Sequence, residues 1–145
     1  MVPENYYDVT RWPVGNPYQD IGEVINSIIA DIKSRQTETD IHDGGKPGAA
    51  IFIPPGDYHL TTQVLIDISY LKIMGAGHGF VSSSIRFNTP ADEWANLHDL
   101  WPGGSRILVD LCPQDGDEEH AGAAFYVKRS GAPRISSVAF ENFCI

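Results

Sequence analysis

The alternation of apolar stretches and sharp corners divides the chain into one helix and a series of short strands. Residues 20–36 carry apolar side chains at three- and four-residue steps, which is typical of an amphipathic helix. This stripe comprises Ile21, Val24, Ile25, Ile28, Ile29 and Ile32. After residue 48 the pattern changes to short apolar runs between corners rich in glycine, proline or polar residues, which predicts strands.

Residues at both ends of the predicted helix support its assignment. Asp20 is a suitable N-cap, and Glu23 lies three residues later, as in a capping box. Lys33 and Arg35 lie in the last turn, where the helix dipole favours cations. An isoleucine stripe must cover an apolar surface, and the nearest candidate is the end of the strand stack that begins at Ala50. We therefore expect this helix to be an N-terminal cap.

The strand region opens with residues 49–60, AAIFIPPGDYHL. Residues 49–53 form a continuous apolar run, which favours a strand buried on both faces. Pro54 and Pro55 cannot donate hydrogen bonds to a ladder, and Gly56 permits a tight turn, so the chain should change direction here. Further strands are predicted at 57–60, 63–68, 71–74, 85–87, 106–111, 123–127 and 136–143. Short strands joined by sharp corners are typical of a coiled sheet.

Two regions are expected. Residues 1–48 should form an N-terminal arm and the capping helix, and residues 49–145 the first rungs of the coiled sheet. Residues 6–18 are rich in aromatic residues and prolines, which predicts an ordered arm packed on a neighbour. Residues 37–48 are polar and glycine-rich, which indicates a loop. His42 lies in this loop, where a solvated histidine is favoured over a metal ligand.

The glycine-rich stretch 71–80, LKIMGAGHGF, follows a predicted strand, as the glycines of a dinucleotide-binding fingerprint do. The spacing does not fit, because Phe80 replaces the third glycine and no helical pattern follows to bind a pyrophosphate. Gly75, Gly77 and Gly79 therefore indicate tight corners, where glycine permits crowded or left-handed backbone.

Two polar loops interrupt the strand pattern. Residues 89–105 predict a long projecting loop, and such loops often carry binding residues. Its Trp94 and Trp101 are candidates to stack on sugar faces, with packing against their own scaffold as the alternative. Residues 113–122 form an acidic loop in which calcium ligands are conceivable. The spacing does not match an EF-hand, so a solvated run of charge is favoured.

Composition excludes several classes of function. The formal net charge is −9 and the basic residues are scattered, so we expect no nucleic-acid partner, since phosphate binding needs clustered Lys and Arg. We also expect no membrane partner, because no stretch approaches the roughly 18 apolar residues of a membrane span. Cys112 and Cys144 define neither a disulfide framework nor a zinc motif, which favours free thiols.

The two ends of the sequence lead to expectations about its context. The first residues, MVPENYYDVT, lack the basic and apolar regions of a secretory signal. We expect a soluble protein, either secreted with its signal outside this sequence or cytoplasmic. The strands account for roughly two to three rungs, and each rung of a solenoid buries its faces only against neighbours. Residues 135–145 carry no turn or cap motif, so we expect an incomplete C-terminus that a longer protein or other chains complete.

The capping helix together with FIPPGDYHL and LKIMGAGHG resembles the entry of the pectate-lyase-like superfamily. This resemblance implies an all-β fold, a right-handed parallel β-helix with an N-terminal capping α-helix. A longer stretch of the sequence is similar to the inulin fructotransferase family, including relatives that act on difructose anhydrides. It runs from YDVTRWPVGNPYQDIGEVINSIIADIKSRQ through IFIPPGDYHLTTQVLIDISYLKIMGAGHGF. That similarity runs over essentially the whole chain.

The second resemblance implies a lyase that cleaves a terminal difructosyl unit from inulin. A sugar hydroxyl attacks the anomeric carbon and releases a cyclic difructose anhydride without water. One carboxylic acid must protonate the leaving oxygen, while a carboxylate takes the proton of the attacking hydroxyl or stabilises the oxocarbenium-like centre. The resemblance further implies no cofactor, no metal, an inulin or fructo-oligosaccharide substrate, and a homotrimer with the active site between subunits.

The catalytic residues are unknown, because the family's acid and base lie farther along than this sequence extends. Asp92, Asp99 and Asp110 are available carboxylates, but their spacing singles out no pair. We predict substrate contacts beside the glycine-rich corner and the long loop, at His78, Phe80, Arg86, Trp94 and Trp101. The alternatives are a non-catalytic carbohydrate-binding or adhesin β-helix and, ranked last, a calcium-dependent pectate lyase. The strands lack the aspartate cluster that a pectate lyase needs.

Overall fold

The computed structural model describes residues 5–35, 48–77, 88–96, 103–111, 122–128 and 135–145, with the backbone alone for 94–96. Along these described ranges, one short strand precedes a single long α-helix, and short strands follow it. They are β1 (Tyr6–Asp8), α1 (Pro17–Ser34), β2 (Ala49–Ile53), β3 (Gly56–Leu60), β4 (Val64–Ile66), β5 (Leu71–Gly75), a 3-10 helix (Ala91–Asn96), β6 (Ser105–Val109), β7 (Phe125–Val127) and β8 (Val138–Glu141).

The helix α1 begins earlier than predicted because it has two successive caps. The side chain of Asn16 accepts a 2.9 Å hydrogen bond from the backbone two residues on, and Pro17 occupies the first helical position. Asp20 then interrupts the helix with extended backbone, φ −155° and ψ 90°. Its Oδ1 accepts a 3.1 Å hydrogen bond from the N–H of Gly22 and so caps the longer part, as predicted. The N–H of Asp20 donates to the Asn16 carbonyl, which occupies the donor that a capping box would offer to Glu23.

The isoleucine stripe of α1 is buried at all six predicted positions. It packs against β3 and β4, and α1 therefore covers apolar side chains at the start of the strand stack. The helix also supplies polar partners to the exposed edge of these strands. Asn26 donates to the carbonyl of Gln63 at 2.9 Å and accepts from the N–H of Leu65 at 3.1 Å. Edge groups that would otherwise invite another strand are thus satisfied within the chain.

Strand β2 has the predicted bounds, but the expectation that it is buried on both faces is wrong. Ala49, Ile51 and Ile53 are buried, whereas Ala50 and Phe52 are half-buried. The reason is that only one face of this sheet meets the core. On the other face, the Phe52 ring packs on that of Tyr6, with centroids 6.2 Å apart.

The strands form three parallel sheets, and from β2 onward consecutive strands enter different sheets. The sheet orders are β1-β2-β5-β8, β3-β6 and β4-β7. Strands β2, β3 and β4 each occupy one sheet, and β5, β6 and β7 pair with them in the same order before β8 returns to the first sheet. A bridge between Arg106 and Cys144 continues the second sheet. The fold is therefore strand-rich, with parallel sheets and one α-helix among the described elements.

The core lies between the three sheets and under α1. Register pairs place similar side chains above one another, as with Ile51 beside Ile73 and Tyr58 beside Ile107. All four are buried. Such stacks bury apolar surface between successive turns of the chain, which is the main favourable term in folding.

A crowded corner joins the first and second sheets. A Cβ on Gly75 would lie 2.5 Å from the carbonyl oxygen of Asn142 and 2.8 Å from the Cβ of Phe143, so the corner has no room for a side chain. The buried Ser105 hydroxyl accepts a 2.9 Å hydrogen bond from the N–H of Ala76. The prediction of a tight corner at Gly75 is confirmed. Glycine is required there because the neighbouring backbone comes too close for any side chain.

Several other boundaries differ from the predictions. Strands β4, β6 and β8 end two residues earlier than predicted, since their last predicted residues turn into corners, whereas β7 ends at Val127 as predicted and begins two residues later. The predicted arm contains β1, a three-residue strand paired with β2. The predicted strand 85–87 lies outside the described residues. Within the described ranges, no helix is both long and apolar enough to cross a bilayer.

Candidate functional site

The connections on either side of β6 are much longer than their counterparts around β3. Only Pro54 and Pro55 join β2 to β3, whereas residues 76–104 join β5 to β6. Residues 61–63 join β3 to β4, whereas 110–124 join β6 to β7. Both insertions therefore leave the scaffold at the two ends of one strand. Because projecting loops on a rigid sheet often carry binding residues, the sheet β3-β6 is the first place to look for a site.

The outward face of this sheet carries a bidentate ion pair. Asp57 and Arg106 are register partners on β3 and β6. Arg106 donates from Nε to Oδ1 at 3.1 Å and from its terminal nitrogen to Oδ2 at 2.9 Å. About a third of each side chain is exposed. This paired geometry holds both groups in fixed positions while leaving part of each within reach of a ligand.

A second polar pair lies farther along the same two strands. His59 follows Asp57 at the next outward position, and Asp110 follows directly after β6. The Nδ1 atom of His59 lies 2.8 Å from Oδ2 of Asp110, and half of each side chain is exposed. The N–H of Asp110 donates to the carbonyl of Leu60, which holds the carboxylate beside the ring. Since Nδ1 is used in this contact, Nε2 is the nitrogen that can meet a ligand.

We call Asp57, His59, Arg106 and Asp110 the polar row. It combines a guanidinium group, an imidazole ring and two carboxylates, and the guanidinium and the imidazole each have an acidic neighbour. Such a row can make several hydrogen bonds to the hydroxyl groups of an uncharged ligand, because donors and acceptors alternate at fixed spacing. Sequence reasoning named Asp110 only as an available carboxylate and missed the other three residues.

The substrate contacts predicted from the sequence stay predictions. His78, Phe80, Arg86 and Trp101 lie outside the described residues, and Trp94 is described only by its backbone in the 3-10 helix. The same connection that carries these residues, 76–104, begins after β5 and returns at the start of β6. The connection and the polar row thus share strand β6.

The acidic candidates divide in the same way. Asp92 is exposed in the 3-10 helix, while Asp99, His42 and residues 113–121 lie outside the described part of the chain. Among the residues that the structure describes, no three His, Cys, Asp or Glu side chains are grouped as metal ligands would be. Cys144 is a free, half-buried thiol.

Comparison with known proteins gives relatives that are all longer than this chain. No protein-family profile matches the sequence. The chain is 46% identical to the inulin fructotransferase [DFA-I-forming] of Arthrobacter globiformis, over 96% of this chain and 34% of that protein. The matched region is the N-terminal part of that relative.

Crystal structures of DFA-IIIase from Arthrobacter chlorophenolicus A6 are also similar. One is 69% identical over 98% of this chain and 32% of its own length, with a TM-score of 0.79. Another, in complex with GF2 and without its lid, is 68% identical over 99% of this chain and 34% of its own, with a TM-score of 0.79. A third, in complex with DFA-III, is 71% identical over 97% and 32%, with a TM-score of 0.77. The chain spans about a third of the length of these relatives.

Proposed function

Because the chain is a homologue of the inulin fructotransferases and of DFA-IIIase, we propose that it forms part of a fructan-converting enzyme of this group. The observation that carries the proposal is the 69% identity to DFA-IIIase over 98% of the chain, with a TM-score of 0.79. The proposal concerns the whole protein to which this region belongs.

The architecture proposed for it is a right-handed parallel β-helix capped by α1. Three findings support this: all pairings between the described strands are parallel, the strands from β2 onward enter three sheets in turn, and the second turn repeats the order of the first. Connections between parallel strands are right-handed in nearly all known cases. In such a scaffold the corners carry insertions without altering the strands, as residues 76–104 and 110–124 do here.

The reaction proposed first is the lyase reaction implied by the resemblance, release of a cyclic difructose anhydride from the end of inulin. The attacking sugar hydroxyl forms the new bond to the anomeric carbon, the bond to the rest of the chain breaks, and the leaving oxygen receives a proton. This needs an acid and a base, and neither role is assigned to a described residue. The polar row is proposed to hold a saccharide through its hydroxyl groups.

A second candidate reaction acts on the difructose anhydride itself. It is favoured by the identities, which are 68–71% to DFA-IIIase but 46% to the DFA-I-forming inulin fructotransferase. Homotrimer assembly and secretion are also proposed, and both rest on the family resemblance alone. A non-catalytic carbohydrate-binding β-helix is the alternative from another class of function.

One experiment separates these possibilities. The complete polypeptide is incubated separately with inulin and with DFA-III, and the products are resolved by chromatography. A cyclic disaccharide appearing from inulin supports the first reaction, and loss of DFA-III to a new product supports the second. If neither substrate changes while a fructo-oligosaccharide still binds, the enzyme proposal is wrong and the binding module is supported.

A further inference from the structure

The first sheet carries a cleft that is separate from the polar row. It has a volume of about 440 Å³ and lies where β1, β2 and the end of α1 meet. We call it the aromatic cleft, and its lining combines aromatic and charged residues, among them Tyr6, Trp12, Phe52, Asp8, Arg11 and Arg35. Its volume is within the range of small-ligand sites, roughly 300–1,000 Å³.

Two neighbouring strands supply one aromatic wall. Tyr6 on β1 and Phe52 on β2 both point away from the core, and their ring planes are inclined by only 25° with centroids 6.2 Å apart. Trp12 is held by a 3.0 Å hydrogen bond from its Nε1 to Oγ of Ser27. Its ring also meets that of Tyr7 edge-on at 5.5 Å. These contacts fix the rings before any ligand arrives, which lowers the entropic cost of binding.

The charged groups of the cleft are balanced. Arg11 lies 3.9 Å from Asp8, and its side chain is 87% exposed. Arg35 forms a 3.0 Å ion pair with Asp31, and its guanidinium lies 6.0 Å from the centre of the Tyr7 ring. Two guanidinium groups are thus matched by two carboxylates. This balance disfavours a strongly anionic ligand but provides donors and acceptors for hydroxyl groups.

We propose that the aromatic cleft binds one or two sugar units of a neutral saccharide, as a contact separate from the polar row. The C–H face of a sugar ring would pack on Tyr6 and Phe52, while its hydroxyl groups would meet Arg11, Arg35 and Asp8. The identification of this saccharide as a fructan rests on the proposed function. Burial, followed by the charge of Asp8, raises the pKa of Tyr6, so its hydroxyl remains a donor at neutral pH.

A second contact on the same protein has a specific consequence for long substrates. Once one part of a fructan chain is bound, another part reaches the cleft at a raised effective concentration, provided that the chain spans the two surfaces. The cleft should therefore strengthen the binding of long fructans more than that of short ones.

The test follows tryptophan emission during titration of the complete protein with a purified fructo-oligosaccharide. The component that Trp12 contributes is the difference between wild type and Trp12→Phe. We expect this component to change and saturate. Arg11→Ala should weaken the binding that this component reports at least fivefold, because it removes a charged hydrogen-bond donor from the cleft. The matched control is Tyr18→Ala, which removes an exposed ring at the other end of α1 and should leave the affinity unchanged.

Each outcome bears on the proposal. The proposal is wrong if the Trp12 component of the emission does not change during the titration, or if wild type and Arg11→Ala bind with equal affinity. Arg11→Ala should keep the thermal midpoint of wild type because its ion pair is long and exposed. Phe52→Ala is a second, independent variant, because it removes one of the two rings of the aromatic wall and should also weaken binding. Conversion of inulin or DFA-III without a response at Trp12 contradicts only the cleft, whereas a response without conversion contradicts only the enzyme proposal.

Discussion

The buried hydroxyl of Ser105 donates a 2.6 Å hydrogen bond to the carbonyl oxygen of Ile53, 52 residues earlier in the chain. The same Oγ accepts from the N–H of Ala76, so one side chain joins three segments at the corner between two sheets. We predict that Ser105→Ala lowers the free energy of unfolding by about 1–3 kcal/mol, because it leaves buried backbone groups without partners.

Denaturant unfolding of the Ser105→Ala variant measures this effect. The control is Ser34→Ala, whose hydroxyl donates to the Asp31 carbonyl at the exposed end of α1. That variant should stay within about 0.5 kcal/mol of wild type, as exposed substitutions usually do. Equal losses in the two variants would show that burial of the Ser105 bonds is not what matters.

Gly75→Ala should be strongly destabilising. Its new methyl group would meet the Asn142 carbonyl oxygen at 2.5 Å and the Cβ atoms of Phe143 and Ser105 below 3.0 Å, so the backbone would have to move. Overpacking of this kind costs about 1–3 kcal/mol. Gly103→Ala is the matched control, because a Cβ there has no neighbour within 4 Å. Thermal unfolding should separate the two variants, and similar midpoints would contradict the crowded corner.

Asp20→Ala should cost about 1–3 kcal/mol of stability, since it removes a helix cap and partners of the connection after β3. Oδ1 of Asp20 accepts from the N–H of Thr61 at 3.0 Å and of Thr62 at 3.2 Å, and Oδ2 accepts from the Thr62 hydroxyl. Glu23→Ala is the control, because the donor that a capping box would give to Glu23 is already used. A loss in Glu23→Ala equal to that in Asp20→Ala would refute this assignment.

The contribution of Asp20 should also depend on pH. Burial raises its pKa, but the hydrogen bonds from Thr62 and Thr61 together outweigh burial, so the pKa lies below the ordinary value of 3.8. The ionised form is therefore favoured in the folded state. The difference in unfolding free energy between wild type and Asp20→Asn should be constant at neutral pH and shrink as the pH falls through the folded-state pKa. A difference that does not change between neutral and acidic pH would argue against a charged cap.

Two tyrosines, Tyr7 and Tyr58, should lose their hydroxyl protons only at unusually high pH. Burial, with the hydrogen bond to Asp31, raises the pKa of Tyr7 to about 12, and burial, with the nearby Tyr18, raises that of Tyr58 to about 12. Their contribution to stability is complete below the unfolded value near 10 and is lost as the pH rises through about 12. Tyrosinate absorbance of folded protein should show this late step, and Tyr7→Phe and Tyr58→Phe should each reduce it. In denaturant the step should move to about 10.

His59→Ala tests the polar row. If Nε2 of His59 forms a hydrogen bond with a substrate hydroxyl, its loss should reduce kcat/KM on the preferred fructan about tenfold, since 1.4 kcal/mol corresponds to a factor of ten. Stability should change by no more than about 1 kcal/mol, because the His59–Asp110 pair is half exposed. The control removes a similar exposed pair on the first sheet with Lys72→Ala, whose partner Glu141 lies 3.5 Å away. Equal kinetics for the two variants would remove His59 from the site.

Local patterns predicted the features that depend on neighbouring residues. The stripe of α1 follows from periodicity, the bounds of β2 follow from an apolar run that ends at two prolines, and the corner at Gly75 follows from its position after a strand. The first cap was missed although Asn16 and Pro17 form a known start of a helix. Strand β1 was missed because three residues are too few to show a period, and its pairing with β2 crosses the whole helix.

The polar row could not be predicted in the same way. Asp57 and Arg106 become neighbours only because β3 pairs with β6 across the connection 76–104, and no local pattern indicates which strands pair. The alternation within β3 does indicate that His59 points outward, but not that Asp110 lies beside it. Pairing across an insertion is a property of the whole chain, so its register had to come from the structure.

The unequal connections around β3 and β6 mean that loop length can change at this sheet with little effect on the stability of the fold. The cost of closing a flexible loop grows only with the logarithm of its length, about 0.6 kcal/mol for each doubling. Growth from the two prolines between β2 and β3 to the long connection 76–104 therefore costs the fold only a few kcal/mol. Insertions at the two ends of β6 can thus differ in length and chemistry while the strands beneath keep one register.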